Sequence, residues 1–411
     1  MIGGGIAGAG ILRELASRGV PDCFLFEKAD FASATSGASS KLIHAGIRYL
    51  EQSWERLKDF QIGAAWRDFK FVVAASRERK ILSRLAPGLI QSKEIHFVLG
   101  AGDGRSASAV WVGTWLYYLI QLAQGQIHRL PRAFYRSASI RRWFPELDAA
   151  NVRAVYTFYD GETDDARLVI ENLQSAHDAG AEALNYVELV AYERREDGVR
   201  LELRDAESGE TASVEARVLI NAAGPFVDEV AARGNAAPAE RTVDRVAGAH
   251  IDVYPALTRH SYYVTASDQR LVFVLRREED GLSYTRIGTT ERPLASGEAT
   301  SPAVATEGEI AYLKSLVRSF FPSANLEAGV TRIDAGVRPL RAQSDKNPFE
   351  KTREHDIVGG RRVYHVVGVK LTDHRRVAAE LLSRINWAAD GVPAPRPGED
   401  ERPIRKPGPT Y

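Results

Sequence analysis

The sequence predicts an α/β fold with two domains, one of which is built around an antiparallel sheet. At 411 residues the chain is longer than the ~100 to 200 residues of a typical domain. Strand-like and helix-like segments alternate along it, which is the pattern of α/β architecture. Glycines crowd positions 3–10 ahead of a helix-like segment, as they do where a helix begins beside a bound phosphate. Together these three observations predict the fold class.

Apolar runs bounded by glycine and charged clusters predict the individual elements. In chain order they are a helix over 11–18, a buried strand over 24–26, a hairpin meander over 183–216, a buried strand over 218–220, a strand-rich region over 249–290 and a helix over Glu307–Phe320. The segment after Ala389 is rich in proline, glycine and charge, so residues 391–411 are predicted to form a disordered tail.

The composition excludes several classes of function. Lys+Arg and Asp+Glu balance at 54 each, so no overall charge favours a nucleic-acid partner, and an anionic ligand must be bound by a local cluster. The single cysteine, Cys23, excludes an intramolecular disulfide framework and a multi-cysteine metal site. No apolar stretch reaches ~18 to 20 residues and no basic segment precedes a hydrophobic one at the start. We therefore expect a cytoplasmic protein without a metal site.

The first chemical motif lies at the N-terminus, where Gly3, Gly5 and Gly8 match the pattern GxGxxG. Such glycines let the backbone turn tightly and approach a pyrophosphate at the start of the following helix. Glu27 follows nineteen residues after Gly8, at the end of the predicted strand, where a carboxylate can accept hydrogen bonds from a ribose. The alternative without a ligand is a glycine-rich turn beside a surface glutamate. The agreement in position and spacing favours dinucleotide binding.

A second motif follows, over residues 34–51, and reads ATSGASSKLIHAGIRYLE. It resembles the signature of the FAD-dependent glycerol-3-phosphate dehydrogenases and oxidases. Further blocks that resemble this family lie, in the family's order, at 164–169, 221–226, 248–251, 287–290, 336–340 and 368–372. A nicotinamide-binding domain has no reason to carry the 34–51 segment, so the resemblance implies FAD as the cofactor.

The resemblance also implies an architecture, the FAD/NAD(P)-binding Rossmann-like fold of the glutathione-reductase/D-amino-acid-oxidase type with a second antiparallel-sheet substrate domain. The expected FAD-binding domain is discontinuous, over 1–80, 150–240 and 330–390, and the expected substrate domain covers 81–149 and 241–329. The implied cofactor contacts are Gly3, Gly5, Gly8, Glu27, Thr35, Ser36, Ser39, Ser40, Lys41, Leu42, Gly224, Gly336, Lys370, Leu371 and Thr372. Asp164, Asp165 and Arg167 are expected to form a structural ion pair or a helix cap.

Oxidation of a secondary alcohol requires a hydride acceptor and a base for the hydroxyl proton, and a phosphorylated substrate also requires fixed cations. His44 suits the base, because its unperturbed pKa of ~6.5 lies near working pH. Arg48 and Arg338 suit a phosphate clamp, because a guanidinium stays charged and presents a planar fork. The resemblance implies the same roles and puts Lys370 near the substrate or the flavin pyrimidine edge. Tyr49 could add a hydroxyl donor.

The predicted reaction is the oxidation of sn-glycerol 3-phosphate to dihydroxyacetone phosphate, with electrons passed to quinone; an oxidase that uses oxygen would need the same substrate site. The aromatic residues at 109–120 could form a helix on the inner face of the cell membrane, although such spacing more often fills a core. The resemblance also allows a homodimer.

Several departures from the family pattern keep other functions open. Gly368-Val369 stands where the family usually shows two glycines, and Val369 reaches positive φ only with strain. Asp373 adds a negative charge near the expected flavin. The strand before the glycines is reduced to Met1-Ile2, where ~5 residues are usual, so the start is assigned too late or that strand is lost. Only 25 residues follow Asn386, so the family's additional C-terminal helical domain is expected to be absent.

Three alternatives follow. One is a flavin amine oxidase of the glycine or sarcosine oxidase type, which would bind a carboxylate and lack the phosphate-binding arginines. Another is a truncated FAD-binding protein without activity, motivated by Val369, Asp373 and the short N-terminus. The third is a nicotinamide-dependent dehydrogenase, which would not need the blocks around Arg338 and Lys370. His44 itself could instead be a structural histidine without a catalytic role.

Overall fold

The computed structural model describes residues 1–279, 281–295, 298, 303–326, 329–342, 355–398 and 403–404, without the side chains of residues 48, 49, 51, 52, 55 and 57. In this part of the chain the α-helices are α1 (Ile6–Ser17), α2 (Ile47–Lys58), α3 (Ile62–Leu85), α4 (Ala107–Ala123), α5 (Ser137–Trp143), α6 (Asp165–His177), α7 (Val227–Ala231), α8 (Glu307–Phe320), α9 (His374–Arg384) and α10 (Trp387–Asp390). The strands are β1 (Phe24–Phe26), β2 (Leu42–Ile43), β3 (Gln91–Gly100), β4 (Ala133–Phe134), β5 (Val152–Glu162), β6 (Glu182–Leu184), β7 (Val187–Arg194), β8 (Val199–Asp205), β9 (Thr211–Ala216), β10 (Leu219–Asn221), β11 (Val243–Val253), β12 (Ser261–Thr265), β13 (Leu271–Glu279), β14 (Leu282–Gly288), β15 (Arg292–Pro293), β16 (Val330–Arg341), β17 (Asp356–Gly360) and β18 (Val363–Val367).

A first layer, called here the parallel sheet, contains β6, β1, β10 and β18 in parallel pairs, with β17 antiparallel at its edge. Ile2 joins its two halves, because it bridges Phe26 of β1 and Asn221 of β10 in parallel. A single bridging residue thus occupies the place of the expected first strand. Helix α1 contacts α6 and α9, and it is buried along residues 6–16, where Arg13 and Glu14 are the charged residues among small and apolar side chains.

The second layer, called here the large sheet, runs in the order β15-β11-β14-β13-β12-β3-β5-β2, with β16 paired to β11 and β4 paired to β5. All of its pairs are antiparallel except β12 with β3. One face packs against α5 and α8, and the other packs against α2, α3 and α4. Alternation along β12 illustrates this division, since Tyr262 points to the first core and Tyr263 to the second.

The secondary structure agrees with the sequence in most places. Strands β7, β8 and β9 form the predicted antiparallel meander. Helix α8 has the predicted bounds and begins with a capping box between Thr306 and Glu309. The division into domains stays a prediction. Within the ranges assigned to the FAD-binding domain, β2, β5 and β16 hydrogen-bond into the large sheet.

The segment predicted as a disordered tail differs from that expectation where it is described. The main chain of Arg396 exchanges two hydrogen bonds with Arg18. Ile404 is 3% exposed and lies in the core beneath α1, where its amide donates to Leu85. Burial of this apolar side chain in the core is favourable. The overall composition of the segment, which is charged and rich in proline, gave no indication that one of its residues would be buried. Residues 399–402 and 405–411 lie outside the described part of the chain.

Candidate active site

A cavity of about 1050 Å³ lies between the parallel sheet and the large sheet. Typical small-molecule sites measure ~300–1,000 Å³, so this one has room for a dinucleotide together with a small substrate. Three of its lining residues stand where parallel strands end: Gly3 follows Ile2, Glu27 follows β1 and Ala222 follows β10. Ligands of open α/β sheets bind at these carboxyl ends.

Most of the predicted site residues line this cavity. They are Gly3, Gly5, Glu27, Thr35, Ser36, Ser39, Ser40, Leu42, His44, Gly224, Gly336, Arg338, Lys370, Leu371 and Thr372. Gly8 supports the cavity from behind, and Lys41 points elsewhere. Arg48 and Tyr49 lie in α2, but their side chains are outside the described part of the structure.

The glycine turn leaves no space for side chains. Gly3 has a φ of +110°, and a Cβ there would lie 2.6 Å from the carbonyl oxygen of Ala222. A Cβ on Gly8 would lie only 1.9 Å from the carbonyl oxygen of Gly3. The first glycine therefore provides a left-handed turn, and the third lets α1 pack directly on that turn.

We expect Gly8→Ala to lower the free energy of unfolding by ~1–3 kcal/mol or more and to weaken binding of the FAD that the sequence predicts, because overpacking against a backbone carbonyl cannot relax. Gly113→Ala is the matched control, since Gly113 lies within α4 and a Cβ on it would meet nothing within 4 Å. Alanine there should stabilise the helix by ~1 kcal/mol. Urea unfolding curves and FAD content of the two variants check this; equal stability would contradict it.

The start of α1 is suited to a pyrophosphate. Gly5 is the N-cap residue without a side-chain cap, and no acidic residue occupies the first turn. The Ile6 amide donates to Ser36 Oγ at 2.9 Å, and the hydroxyl keeps a proton for a ligand oxygen. Glu27 accepts from the amides of Gly4 at 2.7 Å and Ala29 at 2.9 Å, which fixes its carboxylate at the cavity edge with lone pairs left for a ribose.

The segment that follows β1 contacts the large sheet through hydrogen bonds of its hydroxyl side chains. Thr35 Oγ1 donates to the Val337 carbonyl at 2.5 Å, and Ser40 Oγ lies 2.9 Å from His250 Nε2. The side chain of Lys41 points away from the cavity, and its predicted contact with the cofactor stays a prediction. Its Nζ lies 2.5 Å from Asp165 Oδ1 and its side chain is almost fully buried, because a buried carboxylate attracts the ammonium more strongly than an open cavity does.

Asp164 and Asp165, which were expected to form a helix cap or an ion pair, make these contacts. Asp164 caps α6 by accepting from the Arg167 amide at 3.0 Å. Burial alone would raise the pKa of Asp165, but the Lys41 ammonium and the hydrogen bonds from Ser39 outweigh burial and hold that pKa below its usual value. Asp165 therefore remains ionised and anchors the Ser39–Lys41 segment to α6.

Arg338 lies on β16 in the cavity wall. Its Nη1 is 3.1 Å from Glu291 Oε1, and its Nη2 is 2.6 Å from Thr289 Oγ1. A carboxylate therefore holds the guanidinium in place and partly neutralises it. No sequence motif indicates this pairing, since the two residues are 47 positions apart.

His44 follows β2 directly and lines the cavity. Thr372 Oγ1 donates to the His44 carbonyl at 3.2 Å, and the imidazole lies 6.4 Å from the Phe273 ring, centroid to centroid. The backbone of His44 is thus held from the turn before α9, while its ring borders the large sheet.

That turn carries Lys370, whose Nζ lies 4.1 Å from the centroid of the Phe71 ring. Gly368 adopts the left-handed conformation with a φ of +72°, and Val369 is not among the described residues with positive φ. The departure at Val369 therefore brings no backbone strain. Burial would raise the pKa of Asp373, but His355, Lys370 and Arg376 hold it below its usual value, so the extra negative charge is compensated.

His250 is a cavity residue to which the sequence assigned no role. It is 3% exposed, and burial, followed by the positive charges of Arg286, Arg338 and Lys41, lowers its pKa well below the usual value. The imidazole is therefore neutral near pH 7. Its Nδ1 is buried and makes no hydrogen bond with the described residues.

The sequence model of the DAO family, described as FAD dependent oxidoreductase, matches residues 1–371. The chain belongs to this family of FAD-dependent oxidoreductases. FAD is its cofactor, as the 34–51 segment predicted, and the glycine turn, Glu27 and Ser36 fit the pyrophosphate and ribose of that cofactor.

Several relatives in the family act on polyol phosphates. D-erythritol 1-phosphate dehydrogenase of Brucella abortus is 33% identical over 97% of this chain and 76% of its own length. Glycerol-3-phosphate dehydrogenase of Pseudomonas aeruginosa is 31% identical over 98% of this chain and 75% of its own. Aerobic glycerol-3-phosphate dehydrogenase of Staphylococcus saprophyticus is 29% identical over 94% of this chain. The chain spans 66% of the length of that relative.

Solved structures of the family share the fold. Glycerol-3-phosphate dehydrogenase from Bacillus halodurans, complexed with FAD, has a TM-score of 0.71 at 24% identity, over 96% of this chain and 65% of its own. Glycine oxidase from Geobacillus kaustophilus has a TM-score of 0.60 at 17% identity, over 93% and 92%. The predicted fold class is confirmed, and it is common to the predicted enzyme and to its amine oxidase alternative.

Among the described helices, none combines the length and the apolar character that crossing a bilayer requires.

Proposed function

We propose that this FAD-dependent oxidoreductase oxidises sn-glycerol 3-phosphate at C2 to dihydroxyacetone phosphate. The observation that supports the proposal is the presence of His44, Arg338 and Lys370 in one cavity with the glycine turn of α1. Bound FAD supplies the hydride acceptor at flavin N5. His44 would take the hydroxyl proton, and Arg338 would hold the phosphate.

The charges in the cavity favour a phosphate over a carboxylate. Arg338 and Lys370 both line the cavity, and Glu291 neutralises Arg338 only in part, because it contacts one of the two terminal guanidinium nitrogens. A phosphate carries up to two negative charges and three acceptor oxygens, so it gains more from several donors than a single carboxylate does. This supports a polyol phosphate over the glycine or sarcosine of the amine oxidase alternative.

A second candidate is a four-carbon polyol phosphate such as D-erythritol 1-phosphate. The relative from Brucella abortus with that activity is 33% identical over nearly the whole chain. Anaerobic mixing of the FAD-loaded protein with glycerol 3-phosphate, erythritol 1-phosphate, glycine or sarcosine decides among these substrates. We expect bleaching of the flavin bands by the phosphates; bleaching only by the amino acids would overturn the proposal.

For the electron acceptor we propose quinone. Apolar side chains of Ile47, Phe71 and Phe273 line the cavity on the side of α2 and α3, which suits a hydrophobic oxidant. Comparing the rates at which a short-chain quinone and dissolved oxygen reoxidise the reduced protein tests the assignment. Faster reoxidation by oxygen would make the protein an oxidase.

We also propose that α2, α3 and α4 contact the membrane surface peripherally. Exposed large apolar side chains on these helices and the turn between α2 and α3 are Trp54, Phe60, Ile62, Trp66, Val112, Leu116, Leu119 and Leu122. Exposed cations accompany them, since the ammonium groups of Lys58 and Lys70 lie 6.0 and 5.5 Å from the rings of Trp54 and Trp66. Apolar side chains interleaved with cations are typical of helices that lie in an anionic lipid interface.

The double substitution Phe60→Ser and Ile62→Ser is expected to weaken binding to anionic vesicles on the order of tenfold or more, because it removes two side chains that are 88% and 67% exposed and available for lipid. Val304→Ser is the control. It is 69% exposed and precedes α8, on the opposite side of the large sheet. Vesicle flotation measures the bound fraction, and equal binding by the double variant would contradict membrane contact through this turn.

A further inference from the structure

Asp160 is a buried carboxylate in the cavity wall that the sequence did not single out. It lies on β5 and is 0% exposed. Its Oδ1 accepts hydrogen bonds from Tyr117 Oη at 2.7 Å, Arg79 Nη1 at 2.8 Å and the Ala45 amide at 3.3 Å. Its Oδ2 makes no hydrogen bond of good geometry among the described residues, with the buried Tyr263 hydroxyl close to the carboxylate, and Asp160 lines the cavity. A buried carboxylate oxygen without a well-formed hydrogen bond costs free energy of folding.

Strand register puts Asp160 opposite His44. Strand β2 pairs antiparallel with β5, so that Leu42 faces Glu162 and Ile43 faces Gly161. One residue further along this register, His44 is opposite Asp160. Directly opposed residues of an antiparallel pair project to the same face with Cβ atoms ~4.5–5.5 Å apart. The Ala45 amide that binds Asp160 Oδ1 confirms that the chains stay adjacent beyond the last strand pair.

His44 and Asp160 also lie on the same face of the large sheet. His44 shares its face with Leu42, which lies in the core that includes Tyr117. Tyr117 is the residue whose hydroxyl donates to Asp160. Leu42, His44 and Asp160 all line the cavity, whereas the intervening Ile43 points into the core beneath α1.

Other charged and polar groups surround Asp160. Arg79 from α3 is 2% exposed and is held by Gln126 at 3.0 Å and by the Tyr159 carbonyl at 2.9 Å. Tyr263 from β12 is also buried, and burial, the Asp160 charge and a hydrogen bond to Asp160 raise its pKa well above the usual value, so its hydroxyl stays protonated. Lys370, from the turn before α9, lines the same cavity.

We propose that Asp160 is a positioning residue for His44, holding its backbone through Ala45 and stabilising the imidazolium that forms when His44 takes the substrate's hydroxyl proton. The proposal rests on the proposed function, in which His44 is the base. During oxidation the hydroxyl proton moves to the imidazole, and the C2 hydrogen leaves with its electron pair to FAD. The positive charge that appears on His44 would then be stabilised by the neighbouring Asp160 carboxylate, while Arg79 stays bound to Oδ1.

Asp160→Asn tests the proposal because it keeps the shape and removes the charge. His44 must be neutral to act as a base, so activity is lost as pH falls through the pKa of His44. Without Asp160 the buried Arg79 disfavours the imidazolium, and this pKa should fall by about one unit or more. The acidic limb of the pH profile for flavin reduction should move to lower pH by the same amount. The rate on the plateau should fall on the order of tenfold, less than the loss of the base itself.

A measurement of His44 protonation without substrate tests this inference independently of the proposed function. Histidine NMR titration, with the His44 signal assigned by its loss in His44→Ala, reports protonation without substrate. Glu78→Gln is the matched control, since Glu78 is a buried carboxylate on α3 that pairs with Arg375 at 3.0 Å and does not line the cavity. It should leave the titration of His44 unchanged.

If Asp160→Asn does not fold, Tyr117→Phe decides. Removing the Tyr117 hydroxyl takes away a hydrogen bond that partly neutralises the Asp160 carboxylate. The carboxylate then stabilises the His44 imidazolium more strongly, so the titration of His44 should move slightly to higher pH. An unmoved His44 titration in Asp160→Asn, or in Tyr117→Phe where the first variant fails, overturns the positioning role. Should His44→Ala still bleach its FAD normally with substrate, the proposed base is wrong, and the shift in titration still reports whether Asp160 acts on His44.

Discussion

Replacing His44 with alanine should slow flavin reduction by sn-glycerol 3-phosphate by ~10²–10⁴-fold, the usual contribution of a positioned base. FAD should remain bound, because the glycine turn, Glu27 and Ser36 lie on another part of the cavity wall. Stopped-flow absorbance under anaerobic conditions measures the rate, and the spectrum of the resting protein measures FAD content.

His177→Ala controls for the removal of a histidine, since the side chain of His177 is 60% exposed at the end of α6 and does not line the cavity. It should reduce its flavin at the rate of the unmodified protein. A His44→Ala protein that retains FAD and bleaches at the normal rate would remove His44 from the mechanism.

Arg338→Ala should lower kcat/KM for glycerol 3-phosphate on the order of 10²–10³-fold, because it removes the guanidinium proposed to pair with the phosphate in the cavity, and losing one partner of a hydrogen-bonded charge pair costs ~2–5 kcal/mol. The variant also leaves Glu291 facing the phosphate without its partner, which adds repulsion. Glycerol, which lacks the phosphate, is the diagnostic comparison. Its already poor oxidation should change far less, so the preference for the phosphorylated substrate should collapse.

Glu291→Gln provides the opposite test at the same position. Its amide keeps a hydrogen-bond acceptor near Arg338 Nη1 but removes the neutralising charge, so the KM for glycerol 3-phosphate should fall. If Arg338→Ala lowered the rates with glycerol and with glycerol 3-phosphate equally, Arg338 would be part of the wall and would not bind the phosphate.

The sequence predicted those parts of the site that depend on local backbone chemistry. Gly3 and Gly8 were recognisable because their neighbours leave no room for a Cβ, and Glu27 because its distance from them follows from one strand and one helix. Family membership and FAD, both inferred from residue motifs, are confirmed. The individual roles of His44, Arg338 and Lys370 stay predictions.

The parts that sequence could not predict depend on contacts between distant segments. Lys41 reaches Asp165 across 124 positions, and a lysine in a serine-rich segment gives no sign of which carboxylate it will meet. Asp160 becomes relevant only through the register of β2 on β5. The length of the preferred polyol likewise depends on the shape of a cavity whose walls come from both sheets.

The measurement that tests the central claim most directly is anaerobic reduction of the FAD-loaded protein by glycerol 3-phosphate carrying deuterium at C2. Hydride transfer from C2 in the cavity of His44 and Arg338 predicts bleaching that is several-fold slower with the C2-deuterated substrate and unaffected by deuterium at C1 or C3. Bleaching that is insensitive to deuterium at C2, or a bound flavin that no polyol phosphate reduces, would contradict it.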